Sequence, residues 1–286
     1  MKAAPLIKEH RLAIILPALG CIDKHRFDRA RQINCILSLY PAGRSEKSVV
    51  RGMVIPSCRR LGLIIGHGRS IRLSANGKIM LESAALGTAL RDRVCRAVLY
   101  EVDKEAFGFL DSLADRSGMP VSTFVHMARP SLRAPNDRQA DERTRHWLAM
   151  LEQVNLVYRD DDATLSIGRR EYEQTLRDLD ATSKDVVTFG RRLFDAYAEL
   201  TAGTAPIADV PDLRERVAVG MLRSDERLIL TEAQFDQLLA RMHLATDEYI
   251  ISLGRPMGAQ EKLLHYQGSY FRTLSIRFLR REKGQP

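Results

Sequence analysis

The chain lacks most of the patterns that announce chemistry. It has four cysteines, Cys21, Cys35, Cys58 and Cys95, widely spaced and with no C-x-x-C among them. That spacing argues against a disulfide framework or a zinc knuckle, and the expectation is reduced, packing thiols. No apolar run reaches the ~18 residues that a membrane span needs. The run LAIILPALGC, Leu12 to Cys21, follows Lys2, Lys8 and Arg11 and faintly resembles a signal sequence. It is short, Pro17 interrupts it and Glu9 precedes it, so it is read as a helix of a first domain. There is no G-x-x-x-x-G-K-[ST], no H-E-x-x-H and no G-x-S-x-G, and Gly66-x-Gly68 lacks the third glycine of a dinucleotide loop. The seven histidines do not pair at ligand spacings, and no run of carboxylates has a nuclease pattern. These absences speak against an enzyme, and no cofactor or metal is expected.

The charge, by contrast, is sharply patterned. The chain of 286 residues has a formal net charge of +8. Residues 1–85 hold 15 Lys and Arg against 5 Asp and Glu, a balance of +10. Residues 86–250 hold 22 against 29, or −7, and residues 251–286 hold 7 against 2, or +5. Solubility alone does not require basic ends around an acidic middle. A surface for a polyanion does, because phosphate contacts come from clustered Lys and Arg. Docking onto an acidic protein partner, or onto the acidic middle of a second copy, would use the same charge.

Periodicity places helices at about Leu6 to Leu19, kinked by Pro17, and at Phe27 to Leu39, stopped by Pro41 and Gly43. Ser45 can cap a third helix, in which Pro56 makes either a kink or a break. The stretch RRLGLIIGHGRSIRLSANGKIMLES follows. Leu63 to Ile65 reads as a strand, Gly66-His67-Gly68 as a turn and Arg69 to Leu73 as the return strand. Ser74 can then cap a helix toward Gly87.

The positions Leu61, Gly62, Leu63, Ile64, Leu73, Ser74 and Gly77 resemble the winged helix-turn-helix superfamily, in which a helix ends in L-x-x-x-G-L-I and L-[ST]-x-x-G opens a closing helix after a hairpin. The resemblance covers about 60 residues. It implies a mainly α fold with short β-hairpins, and a recognition helix and wing that contact DNA. Residues 143–176 repeat the pattern, with Leu156, Val157, Leu165, Ser166 and Gly168 expected at the places of Leu63, Ile64, Leu73, Ser74 and Gly77. Early helices of that copy are expected at Asp103 to Arg116 and Ser122 to Ala128. Its wing tip, Asp160-Asp161-Asp162, would repel phosphate. A third, weaker copy has helices near Asp185 to Leu200, Val210 to Leu222 and Thr231 to Leu244. Thr231 and Gln234 form a capping box there, and a long pair of strands follows, Glu248 to Leu253 and Tyr270 to Leu279. The expected organisation is tandem winged-helix domains: 1–87 basic, 88–182 with an acidic wing, and 183–286 with a long hairpin.

The candidate DNA-binding residues are Arg44, Lys47, Arg51, Arg59, Arg60, His67, Arg69, Arg72 and Lys78. A possible second basic surface is Arg255, Lys262, Arg272, Arg277, Arg280 and Arg281. Trp147 and Tyr158 are read as core, and Tyr270 and Phe271 as lying on opposite faces of a strand, with one outward. The expected function is a non-catalytic, cytoplasmic protein that binds double-stranded DNA, within a bacterial DNA-handling or antiviral defence complex, alongside other protein subunits or by self-association. The alternatives are a structural adaptor whose winged helices hold an ATPase or nuclease, and a transcriptional regulator.

Overall fold

Burial decides where the first helix begins. In the computed structural model, which describes residues 7–68, 71–102, 110, 113–114, 118–132, 136–161, 163–203, 205–256 and 261–279, residues 7–11 form an irregular strap and α1 starts only at Leu12. Ile7 is fully buried and Glu9 is 1% exposed. The Glu9 amide donates to Ser57 Oγ at 2.9 Å, and its carboxylate accepts from the Arg11 guanidinium at 2.7 Å and from the Tyr40 hydroxyl. A helix from Leu6 would forfeit those bonds. α1 (Leu12–Lys24) continues through Pro17 and buries Leu12, Ile15, Ala18, Leu19, Cys21 and Ile22.

α2 (Arg29–Leu37) is capped by Asp28, whose carboxylate accepts from Arg31 N at 3.0 Å. It is shorter than the expected Phe27 to Leu39. Phe27 stands in the preceding turn and is 92% exposed. One expectation fails here: Cys21 of α1 and Cys35 of α2 form a disulfide, while Cys58 and Cys95 are free and buried. Sequence spacing could not show that two antiparallel helices bring these two thiols together.

The third helix is continuous but changes its winding. Ser45 caps it, with Ser45 Oγ accepting from Ser48 N at 3.2 Å. Lys47–Val54 is a π-helix (π1), and Ile55–Arg60 (α3) is α-helical with Pro56 in its first turn. A proline lacks the N–H and presses on the carbonyl four residues back in an α register. The wider winding ahead of Pro56 accommodates that ring without breaking the helix. Gly62 then ends α3 at φ 67°, as a left-handed C-terminal residue should.

β1 (Ile64–Ile65) and β2 (Arg72–Leu73) pair antiparallel, with Ile64 opposite Leu73. Ser74 caps α4 (Ala75–Ala85) by accepting from Gly77 N at 3.1 Å, and its own hydroxyl donates to Gly62 O. Gly77 lies so close to the end of α3 that a Cβ there would sit 2.0 Å from the Leu63 carbonyl oxygen. α5 (Thr88–Val102) packs on α4.

The next helical hairpin is α6 (Val121–Leu132) and α7 (Asp137–Gln153), the latter capped by Asn136. β4 (Val157–Arg159) and β5 (Thr164–Ile167) follow, and then α8 (Arg169–Leu179). The expected helix over 103–116 lies largely outside the described residues, as does Asp162. A two-residue strand, β3 (Met119–Pro120), pairs with β5 to give the order β3-β5-β4 and runs straight into α6. The turn at the start of α8 shifts the expected alignment. Gly168 N donates to Leu156 O as Ser74 N donates to Leu63 O, so Gly168 stands where Ser74 does. Ser166 is instead a strand residue opposite Tyr158. Asn155, at φ 58°, takes the place of Gly62.

The chain divides into two compact units, Met1–Asp178 and Leu179–Pro286. The second holds α9 (Val186–Thr201), β6 (Ala208–Asp209), α10 (Val210–Arg223), α11 (Glu232–Arg241), β7 (Tyr249–Gly254), a small hairpin of β8 (Leu264–Tyr266) and β9 (Ser269–Phe271), and β10 (Thr273–Phe278). The Thr231–Gln234 capping box is present. β6 pairs with β10 in the order β6-β10-β7 and runs straight into α10, as β3 runs into α6. The first residue of each helix donates its amide to the hairpin, Val121 to Ala163 O and Val210 to Arg272 O. Phe189 and Phe235 meet edge to face at 5.3 Å in its core. Among the described residues no helix is long and apolar enough to cross a membrane.

Two stability effects follow. Cys21→Ser/Cys35→Ser, or reduction of the native chain, is expected to cost the first unit about 3 kcal/mol, the loop entropy of a ring of this size. Urea unfolding with and without dithiothreitol measures it, and the double variant should be indifferent to the reductant. Gly77→Ala is expected to cost about 2 kcal/mol by pushing α4 off the Leu63 carbonyl, read as a lower urea midpoint at unchanged slope.

Candidate nucleic-acid interface

The basic face of the first unit is assembled on α2, π1 and α3. Gln32 is buried on α2, and its amide donates to Ile71 O at 3.1 Å, just ahead of β2, and to Ile22 O at 3.4 Å at the end of α1. That fixes α2 beside the hairpin. Arg29, at the start of α2, donates to Gln32 Oε1 at 3.3 Å. Its guanidinium is held below its ordinary value by burial first and then by the positive charge of Arg51, with Arg59 adding to it and Glu46 opposing. Arg29, Arg51 and Arg59 therefore share one field. Sequence reasoning missed Arg29, because only the packing of α2 against π1 brings it there.

Arg44, Lys47, Arg51 and Arg60 are exposed. Arg51 meets Glu46 at 2.7 Å, a solvated ion pair of small worth that a ligand can displace. Arg59 is different. Its Nη2 donates to the Gly66 carbonyl at 2.6 Å, which ties the hairpin turn to α3, and its Nε is buried with no hydrogen-bond partner. His67 is exposed at the turn and Arg72 is half-buried on β2. Arg69 lies outside the described residues. Lys78 is committed internally: its ammonium sits 2.8 Å from Asp23 on α1 and 3.5 Å from Glu82, with the side chain 19% exposed.

The second hairpin is acidic and self-organised. Asp160 accepts from Thr164 N at 2.7 Å and shapes the turn, and Asp161 is exposed. Trp147 is buried, but Tyr158 is 46% exposed, contrary to its reading as core. Alternation from the buried Val157 turns it outward.

The second basic surface is not a single surface. Lys262 pairs with Glu232 at the start of α11, and Arg272 pairs with Asp209 of β6 at 2.9 Å and donates to Glu261 O. Both cations hold the long hairpin to its own unit. Arg214, 3% exposed, completes the fastening: it grips Asp236 of α11 and donates to the carbonyls of Lys262 and Leu263. Arg255 and Arg277 are exposed. Their strand register, Thr273 opposite Gly254 and Arg277 opposite Ile250, sets them at opposite ends of the β7–β10 pair. Arg280 and Arg281 lie outside the described residues. Tyr270 is the outward member of its pair and stacks near His265, on the small β8–β9 hairpin rather than on the long strand expected.

No protein-family model, curated protein or solved structure matches the chain.

Arg214→Met is expected to destabilise the second unit by about 3 kcal/mol or more, because it strands Asp236 and frees the hairpin from α11. Thermal unfolding reports the loss, and the double change with Asp236→Leu should recover much of it.

Proposed function

We propose that the chain is a non-catalytic double-stranded DNA-binding protein built from winged-helix modules in tandem. The order of short strand, helix, helix and hairpin in residues 119–167 and 208–278 supports the tandem reading. The capped helices and hairpin of residues 12–85 support it for the basic end. One observation carries the DNA reading: Lys47, Arg51 and Arg60 stand exposed on the helix that leads into the first hairpin, and Arg29 of α2 lies within the positive field of Arg51 and Arg59. A helix with that lining enters a groove, and a hairpin next to it follows the backbone. The contacts are to phosphate first, so binding is salt-dependent and weakly selective.

A specific observation favours an adaptor role for the second unit. Its hairpin is fastened across α11, the helix that a winged helix would present to a groove, by Lys262–Glu232 and by Arg214. The acidic second hairpin also suits a protein partner better than phosphate. The reading is thus one molecule with a DNA-facing first module and protein-facing later ones.

The test is a binding titration of random-sequence duplex DNA over a salt series. Lys47→Ala/Arg51→Ala/Arg60→Ala is expected to weaken binding tenfold or more and to reduce the log–log salt slope by up to about 2.7, near 0.9 for each of three lost phosphate contacts. Arg255→Ala/Arg277→Ala should change little. Absence of binding by the native chain at low salt defeats the DNA reading.

A further inference from the structure

The strap of residues 7–12 joins two parts of the first unit. On one side it is anchored to α3 and to the end of α2 through Glu9, by the bonds to Ser57 and Tyr40. On the other side Gln153, at the end of α7, clasps it twice. Gln153 Nε2 donates to His10 O at 3.0 Å, and Gln153 Oε1 accepts from Leu12 N at 2.8 Å. Beside this clasp the His10 ring stacks on His146 of α7, with centroids 4.7 Å apart and planes inclined by 19°. The Nδ1 of each ring is buried and has no hydrogen-bond partner.

A neutral imidazole carries one N–H and one bare nitrogen, so it tolerates an unpartnered Nδ1 as the bare one. An imidazolium carries two donors. Protonation of His10 here puts a buried donor without an acceptor at Nδ1 and sets a charge against the ring of His146. The surrounding groups do not rescue it. Arg11, on the strap, opposes a positive His10. Glu9 favours it, but that carboxylate already serves Arg11 and Tyr40. The Lys8 carbonyl favours it too, as the smallest of these effects.

We infer that residues 7–12 form an acid-released latch, in which protonation of His10, stacked on His146, frees the strap from α7 while the Glu9 amide keeps it on α3. The direction of the titrations agrees. Burial first, and then the charge of His146, hold His10 below the ordinary imidazole value. A depressed histidine binds fewer protons in the latched state than in the released one. The latch is therefore complete above pH about 6.5, the ordinary value, weakens as pH falls below it, and levels off beneath the depressed value. For Glu9, burial raises the carboxyl, but the hydrogen bonds from Arg11 and Tyr40 outweigh it and hold it below its ordinary range. That anchor persists until the pH falls into the carboxylate range. Acid therefore acts in two stages, on the clasp to α7 first and on the carboxylate bond to Tyr40 later, while the Glu9 amide bond to Ser57 does not titrate.

The Leu12 amide reports the latch directly, since its bond is to Gln153. The experiment is hydrogen exchange of the full chain by NMR between pH 7.5 and 5.5, corrected for the intrinsic pH dependence of exchange, together with the His ring-proton titrations. Leu12 protection is expected to fall severalfold as His10 protonates, while the Val54 amide in the core stays protected. His10→Phe keeps a ring stacked on His146 that cannot titrate, and it should hold Leu12 protection level over the same range. Constant Leu12 protection in the native chain, a parallel fall at Val54, or His10 titrating at or above 6.5 would each overturn the latch. The native-chain readouts decide the matter even where the variant fails to fold.

Discussion

A two-stranded hairpin in water does not hold itself together, and the described residues hold four pairs: β1–β2, β4–β5, β7–β10 and, within the last, the small β8–β9. How each is held decides which side chains remain available. The first hairpin is secured almost entirely by main chain and small residues: Ser74 N on Leu63 O, Ser74 Oγ on Gly62 O, and the close approach of Gly77. Its turn is tied to α3 by Arg59. The second takes an added strand, β3, and a left-handed Asn155 whose amide reaches Asp92 on α5. The third takes β6 and three cations, Arg214, Lys262 and Arg272. Two stretches that look equally basic thus end differently. In one the charge stays on the surface, and in the other it is absorbed as fastening.

The same accounting explains what could be read in the sequence. Caps depend on residues three apart, so Ser74, Ser45 and the Thr231–Gln234 box were legible. Leu63 and Ile64 were legible as the core end of a helix-to-strand step. Beyond that range the signals fade. β3 and β6 have two residues each and no pattern of their own; pairing partners 44 to 46 and 64 to 66 residues downstream define them. Arg29 becomes part of the basic face only through the packing of α2. Lys262 and Arg272 look like surface charge until Glu232 and Asp209 arrive from 30 and 63 residues away. Ser166 was misplaced because a Ser in the L-S-x-x-G pattern and a Ser in a strand look alike. Only the Gly168 amide bond distinguishes them.

The ionic groups of the first unit follow one logic. Asp178 receives Arg93 through two bonds, 2.6 and 3.0 Å, and Arg96 sends a buried bond to Val154 O at 2.7 Å. Both run from α5, so this helix is riveted to α8 and to the end of α7 by charge rather than by apolar contact alone. Buried pairs of this kind add little net stability but penalise every arrangement that leaves one member alone. They specify which way α5 lies, as Glu9 specifies the path of the strap.

The π-helix gives the third helix a property that composition does not have. π1 begins with Val49 N on Ser45 O, four residues back, and ends five residues back, with Ile55 N–H on Val50 O. A π segment holds one residue more than the α turn that would fit the same span. Removing any one residue between Lys47 and Val54 would let the helix relax to an α register without breaking it. The lost residue takes away about 100° of turn, and the tighter α winding of the residues that remain gives back turn of the same order. The residues on either side of the deletion would keep their bearing about the axis, and every charge would be retained. What would be lost is the wide winding that makes room for the Pro56 ring, so the extra residue belongs to the proline rather than to the cations around it.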